Sequence, residues 1–112
     1  MRGLGIVLLA LNFLAPCARA NESDWAVCNT VSGTSSVRAC TRIIEGGQET
    51  QGDLATAYNQ RGAAYYSLKQ YDLAIADYDT AIAHNPRMGV AYSNRGMALN
   101  AKGESERAIA VF

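Results

Sequence analysis

Residues 57–65, AYNQRGAAY, return at 91–99 as AYSNRGMAL, and the separation of 34 positions decides the architecture. In that register Ala57 falls on Ala91, Tyr58 on Tyr92, Arg61 on Arg95, Gly62 on Gly96 and Ala64 on Ala98. The match continues through Ala74 on Ala108, Ile75 on Ile109 and Ala76 on Ala110, while Tyr78 meets Phe112. Eight identities without a gap mark a repeated supersecondary unit. One such unit cannot bury its apolar face alone, so neighbours must stack.

Each unit reads as a pair of helices. Over residues 54–68, Leu54, Tyr58, Gly62 and Tyr65 follow one another at intervals of four, four and three, a single α-helical stripe, and Asp53 stands where an N-cap belongs. Residues 71–84 repeat the pattern with Tyr71, Ala74, Ile75, Tyr78, Ala81 and Ile82, and Asn85-Pro86 stops the helix. A glycine inside a helix costs about 1 kcal/mol relative to alanine. Gly62 and its echo Gly96 therefore need a packing reason, and close approach of the facing helix at the small Ala74 supplies one.

This pattern resembles the tetratricopeptide repeat family, whose W-x2-L-G-x2-Y, A-x3-F and P signature is met here by Tyr58-x2-Arg61-Gly62-x2-Tyr65, Ala74-x3-Tyr78 and Pro86. The second copy has Tyr92-x2-Arg95-Gly96-x2-Leu99, then Ala108-x3-Phe112. Tyr replaces the family's Trp and Arg its Leu in both copies, and the Asn/Gln-Arg-Gly spelling resembles bacterial members. The resemblance implies an all-α fold of antiparallel helix-turn-helix repeats stacked as a short right-handed α-solenoid. It also implies a binding module in which the first helix of each pair lines a concave groove. Asn59, Gln60, Tyr66, Asn94 and Met97 are the groove candidates, with plain solvent exposure as the alternative. A carboxylate clamp of the kind some members use is not supported, because Asn59 and Ala63 occupy positions where its Lys and a second Asn would stand.

Carried back one period, Gly62 maps to Cys28 and Ala74 to Cys40, the close-contact positions of a degenerate first repeat. Its helices are expected at 23–31 and 36–45 around a Ser32-Gly33-Thr34-Ser35 turn, with Ile44 beneath Tyr78 in the buried ladder. At those positions a Cys28–Cys40 disulfide is expected, stabilising the hairpin by about 3 kcal/mol through loop closure. The alternative, a catalytic dithiol, lacks the C-x-x-C spacing.

Residues 1–20 read as a secretory signal peptide: Arg2, the apolar run GLGIVLLALNFLA at 3–15, then Ala18-Arg19-Ala20 as an A-x-A exit. The run falls short of the roughly 20 apolar residues of a spanning helix. Lipidation at Cys17 is the alternative, disfavoured by Pro16. Cleavage would leave eight basic against ten acidic side chains, and only Cys28 and Cys40, in an oxidising compartment. The expected organisation is thus a signal peptide at 1–20, a stapled hairpin at 21–47, a linker at 48–53, a full repeat at 54–87 and a truncated repeat at 88–112. Because that last repeat stops within its second helix, the chain reads as a fragment, with self-association through Ala108, Ile109 and Phe112 a further expectation.

The remaining composition excludes more than it names. Across 112 residues, ten basic side chains balance ten acidic ones, so no broad basic field for nucleic acid exists. A single histidine, His84, cannot assemble a metal cluster or a Cys-His nucleophile, and it reads as a helix-end group. No phosphate loop, nucleophile elbow or paired-carboxylate spacing occurs, and Asp72, Asp77 and Asp79 read as a solvated or ion-paired face. Arg61 and Arg95, beside the helix glycines, need partners where desolvated. Asp77 is the candidate, bonding Arg61 within its repeat or reaching Arg95. The expectation is an exported adaptor for a protein or peptide, without catalysis, metal or cofactor. The alternatives are an accessory or regulatory domain of an exported enzyme system, or a gene remnant.

Overall fold

A computed structural model describes residues 22–111, with side chains to residue 109. The expected leader at 1–20, including Cys17, and Phe112 lie outside the described residues. Among the described residues five helices follow one another: α1 (Glu22–Cys28), α2 (Gly33–Gly46), α3 (Gln51–Ser67), α4 (Tyr71–His84) and α5 (Gly89–Val111). Each packs on the next along the chain, α1 with α2 and α3 with α4 as hairpins, and the described residues contain no strand. This is the all-α helical stack that the 34-residue period requires.

The α3–α4 hairpin is built where the sequence places it, with one change at its start. Thr50, in an extended conformation, is the N-cap, and its Oγ1 accepts from the Asp53 N–H at 3.2 Å. Asp53, expected to be the cap, instead stands three residues inside, where its carboxylate faces the positive end of the helix. The expected linker at 48–53 is shortened accordingly, to residues 47–50. At the other end Lys69 takes a left-handed φ of 60°, so that the Gln70 N–H reaches the Tyr65 carbonyl and the Lys69 N–H that of Tyr66, each at 2.9 Å. That pair of bonds closes α3 and turns the chain into α4.

The core between helices is thin. Ala55, Ala57, Ala64, Ala74, Ala81, Ala91 and Ala98 are fully buried, and Tyr78, 2% exposed, is the bulkiest buried side chain. Gly62 has the expected reason to be glycine: a Cβ there would lie 2.7 Å from Tyr78 Cε1 and 3.2 Å from the Ala74 carbonyl oxygen.

The second copy departs from expectation. Gly96 is exposed and a Cβ on it would meet nothing within 4 Å, because α5 runs unbroken for 23 residues through Lys102-Gly103-Glu104. Ala108, expected to return against Gly96, is exposed, and Tyr92 and Leu99 are 43% and 51% exposed. Gly103 has no left-handed φ with which to break the helix. No proline and no left-handed residue stands between Gly96 and Ala108, so nothing local interrupts the i→i−4 bonds.

The first hairpin is shifted. α1 ends at Cys28 and α2 begins at Gly33, so the turn occupies residues 29–32 rather than 32–35. Ser36, fully buried, explains the shift: its Oγ donates to the Val27 carbonyl (2.8 Å), accepts from the Ser32 N–H (3.1 Å) and bonds Thr30 Oγ1 (2.6 Å). These bonds occupy the groups that would otherwise extend α1, and the chain turns with Val31 and Gly33 at positive φ, 48° and 71°. Cys28 and Cys40, both fully buried, are joined through their sulfurs with Cα atoms 4.8 Å apart. Ile43 is the fully buried isoleucine here, whereas Ile44, expected in the ladder, is half-buried at the margin of the same cluster.

Candidate partner-binding groove

The helices α1, α3 and α5 lie side by side, and a file of amides crosses them. Asn94 Nδ2 donates to Asn59 Oδ1 (3.2 Å), Asn59 Nδ2 to Gln60 Oε1 (3.3 Å), and Gln60 Nε2 to Asn29 Oδ1 (3.1 Å). Helical spacing places Thr56, Asn59, Gln60, Ala63, Tyr66 and Ser67 on one stripe of α3, and their period-mates Val90, Ser93, Asn94, Met97, Asn100 and Ala101 on α5. The stripe is distinct from the Tyr58-Gly62-Tyr65 face that receives α4.

Within it the five groove candidates have different surroundings. Asn59 is 6% exposed and acts as the hub of the amide file rather than an open wall. Gln60 and Asn94 flank it, half-buried. Tyr66 is half-buried, sits edge-on to Tyr71 with centroids 5.5 Å apart, and packs on the Ala74, Tyr78 and Ala98 cluster, so much of it belongs to the core. Met97 is open, 55% exposed, and Val90 is 54% exposed.

Behind the stripe the arginines tie the helices together. Arg61 grips both oxygens of Asp77, Nε to Oδ2 at 2.8 Å and Nη2 to Oδ1 at 2.9 Å, while Nη1 donates to Thr41 Oγ1 at 3.1 Å. Its guanidinium lies 5.4 Å from the Tyr58 ring centre and 5.8 Å from that of Tyr65. The hydrogen bond to Asp77 raises the Arg61 pKa above its ordinary value despite opposing desolvation, so the guanidinium stays charged. Arg95 pairs with Asp79 at 2.9 Å, not with Asp77. Sixteen residues ahead of Arg61 stands an aspartate, but sixteen ahead of Arg95 stands Val111, so Arg95 turns back to the preceding helix. Burial in turn pushes the Tyr78 hydroxyl up to about 12, helped by Tyr66 and Asp77.

Sequence reasoning missed Thr41 and Ser36, whose roles depend on tertiary contacts that no spacing announces. For Asp79 a signal existed: its separation from Arg95 equals that of Asp77 from Arg61. His84 lies at the end of α4, stacked on Tyr58 with centroids 5.6 Å apart, and its Nδ1 bonds Gln51 Oε1. Among the described residues no group of His, Cys, Asp and Glu is arranged to hold a metal, and no helix is long and apolar enough to cross a membrane. A cleft of about 290 Å³ opens elsewhere, between residues 69–73 and the end of α5. Lys102 sits in it, already paired with Asp72 at 2.7 Å.

Stacked helical hairpins with an open lateral stripe define a helical-repeat architecture. The tetratricopeptide repeat family matches residues 55–88, which fall within the α3–α4 hairpin and the turn that follows it. The chain is 40% identical over 58 residues to the small glutamine-rich tetratricopeptide repeat-containing protein 2 of Saccharomyces cerevisiae, covering 52% of this chain and 17% of that protein. It is also 40% identical over 48 residues to the probable UDP-N-acetylglucosamine--peptide N-acetylglucosaminyltransferase SEC of Arabidopsis thaliana, covering 43% of this chain and 5% of that one. The chain thus spans less than a fifth of the length of either relative. No solved structure matches it.

Proposed function

We propose that the chain is an exported, non-catalytic adaptor that holds a protein or peptide partner along the stripe of α3 and α5. The observation that carries this reading is the exposure of Met97 and Val90 beside Asn94, on a side of α5 that no helix of the described hairpins covers. The apolar leader at 1–20 and the Cys28–Cys40 bridge support export to an oxidising compartment. A second reading, an accessory domain of an exported enzyme system, draws on the likeness of the hairpin to a short part of a protein named as a transferase.

The test is recovery of partners from an extracytoplasmic extract by the mature chain, compared with Met97→Asp and Val90→Asp. Both positions are exposed, so the fold should survive. Loss of the same partner from both variants supports the groove, and equal recovery by all three proteins removes it. Export and the bridge are checked on the expressed full chain. The expected outcome is a mass lacking residues 1–20 and no free thiol without reductant; an intact leader or two free thiols rejects the respective assignment.

A further inference from the structure

We infer that the Cys28–Cys40 bridge is a redox latch on α1: with the bridge closed α1 is docked on α2, and with both thiols free it leaves while the rest of the stack stays folded. Two features carry this, the joint at the bridge and the weakness of everything else that holds α1. In the repeat register Cys28 stands where Gly62 stands one period on, and Cys40 where Ala74 does. These are positions of close approach: in the α3–α4 hairpin even a methyl on Gly62 would meet the Ala74 carbonyl oxygen at 3.2 Å. In the first hairpin both positions carry a side chain, both are fully buried, and their Cα atoms are 4.8 Å apart. Such a joint admits two sulfurs because they share a bond. Unbonded, they need van der Waals separation, and a close-packed joint resists the extra volume. Reduction therefore removes the tether and overfills the contact at the same point. Closing a loop with a sequence separation of 12 shifts the docking equilibrium about a hundredfold.

α1 has 7 residues against 14 in α2. An isolated helix needs roughly 12–15 to be even marginal in water. Its tie from Asp24 to Arg42 reaches a side chain that is 58% exposed, where an ion pair contributes little. Trp25 Nε1 donates to Glu49 Oε1 at 3.2 Å, and Trp25 and Val27 are only partly buried against the cluster of Ala39, Ile43 and Ala57. α2, by contrast, keeps anchors of its own on α3. Thr41 Oγ1 accepts from Arg61 at 3.1 Å, Ser67 Oγ accepts from the Gly33 N–H at 3.2 Å, and Ile43 shares a cluster with Ala57. Undocking therefore stops at the turn and uncovers Ala39, Ile43 and Ala57.

The latch is set by thiol–disulfide exchange with an oxidising disulfide, borne by a protein or a small molecule. One cysteine thiolate attacks that disulfide, forming a mixed disulfide and releasing one thiol. The other cysteine then attacks the mixed disulfide at the first cysteine's sulfur, and the second thiol leaves; two electrons and two protons have passed from the chain to the carrier. Because Cys28 and Cys40 are wholly buried once α1 is docked, the closed latch is out of reach of thiols, and reopening requires α1 to move first.

Trp25 is the chain's one tryptophan, so indole emission reports on α1 alone. The full chain is reduced with a phosphine in urea, returned to buffer with the reductant kept, and compared with the oxidised chain by emission and by amide hydrogen exchange. Expected are a red shift of Trp25 and a loss of about a hundredfold in protection at the last amides of α1, with α3 and α4 changed less than about threefold. Glutathione disulfide, added after the phosphine is removed, should restore both signals. Without urea the oxidised chain should react with the phosphine at least about tenfold more slowly than with it. Unchanged emission and protection in the reduced chain overturn the inference. Loss of protection across α3 and α4 overturns it as well, since the bridge would then hold the whole fold and not α1. Failure of glutathione disulfide to redock α1 refutes a reversible latch, and equal reaction rates with and without urea refute its inaccessibility when closed.

Discussion

Gly62 and Gly96 occupy the same position of successive repeats, yet the same substitution should move stability in opposite directions. Replacing a mid-helix glycine by alanine gains about 1 kcal/mol of helix propensity. At Gly96 nothing lies within 4 Å of the new methyl, so Gly96→Ala keeps that gain. At Gly62 the methyl would lie 2.7 and 2.9 Å from two ring carbons of Tyr78 and 3.2 Å from the Ala74 carbonyl oxygen. Carbon atoms in contact prefer roughly 3.5–4.0 Å, so the ring must retreat by about 0.8 Å. Tyr78 is 2% exposed and has nowhere to go without moving α4. Overpacking of this kind costs about 1–3 kcal/mol, and with a backbone oxygen also in the way the upper half of that range applies. Subtracting the propensity gain leaves Gly62→Ala less stable by about 1–2 kcal/mol, against Gly96→Ala more stable by about 1. Urea unfolding followed by circular dichroism at 222 nm measures both. With a slope of about 1 kcal/mol per molar urea, the midpoints should separate by about 2–3 M at unchanged slope. A Gly62→Ala protein as stable as the parent, or two midpoints displaced in the same direction, would refute the close-approach argument.

Three further predictions concern the joints between helices. Asp77→Ala leaves the largely buried Arg61 guanidinium unpaired and should cost about 3 kcal/mol, whereas Asp79→Ala, at a half-exposed pair, should cost less than about 1 kcal/mol; equal losses in urea titrations would contradict the difference in burial. Because the folded-state pKa of Tyr78 lies at about 12 against an ordinary 10, its contribution is intact below pH 10 and disappears as pH rises from 10 to 12. Two pKa units correspond to about 2.7 kcal/mol, so the stability difference between the parent and Tyr78→Phe should shrink across that window, and a constant difference would be the contrary result. Lys69, at φ 60°, pays the left-handed strain that glycine escapes. Lys69→Gly should therefore raise the thermal midpoint by an amount equivalent to about 0.5–1 kcal/mol, and a lowered midpoint would show that the Lys69 side chain holds the turn.

The hairpin of α3 and α4 was legible because its instructions are local: a stripe at spacing four, four and three, a glycine where helices meet, and Asn85-Pro86 to stop. The first hairpin was legible only in outline. The period located Cys28 and Cys40, but the turn depends on the buried hydroxyl of Ser36, and serine in a run of Ser and Thr carries no mark of which one turns inward. The unbroken α5 escaped the repeat argument because periodicity records what a segment resembles, and not whether a residue stands there to break the helix, and Gly103 keeps a helical φ. In the groove, the stripe was legible from helical arithmetic. Asn59 as a buried hub was not, because burial there arises from the neighbouring first helix rather than from its own.

Alanine methyls make up most of the interior, and a methyl is nearly round: it fills space without dictating how far one rod may slide or swivel along the next. Arg61 supplies what that interior lacks. Its flat fork is clamped by Asp77 on the returning helix and by Thr41 on the hairpin before, so one guanidinium gauges two crossing angles at once. The pitch of the superhelix is therefore written in a few polar couplings laid over a permissive filling. Lysine at position 61, with the same charge but no fork, would keep the helices while letting that pitch drift.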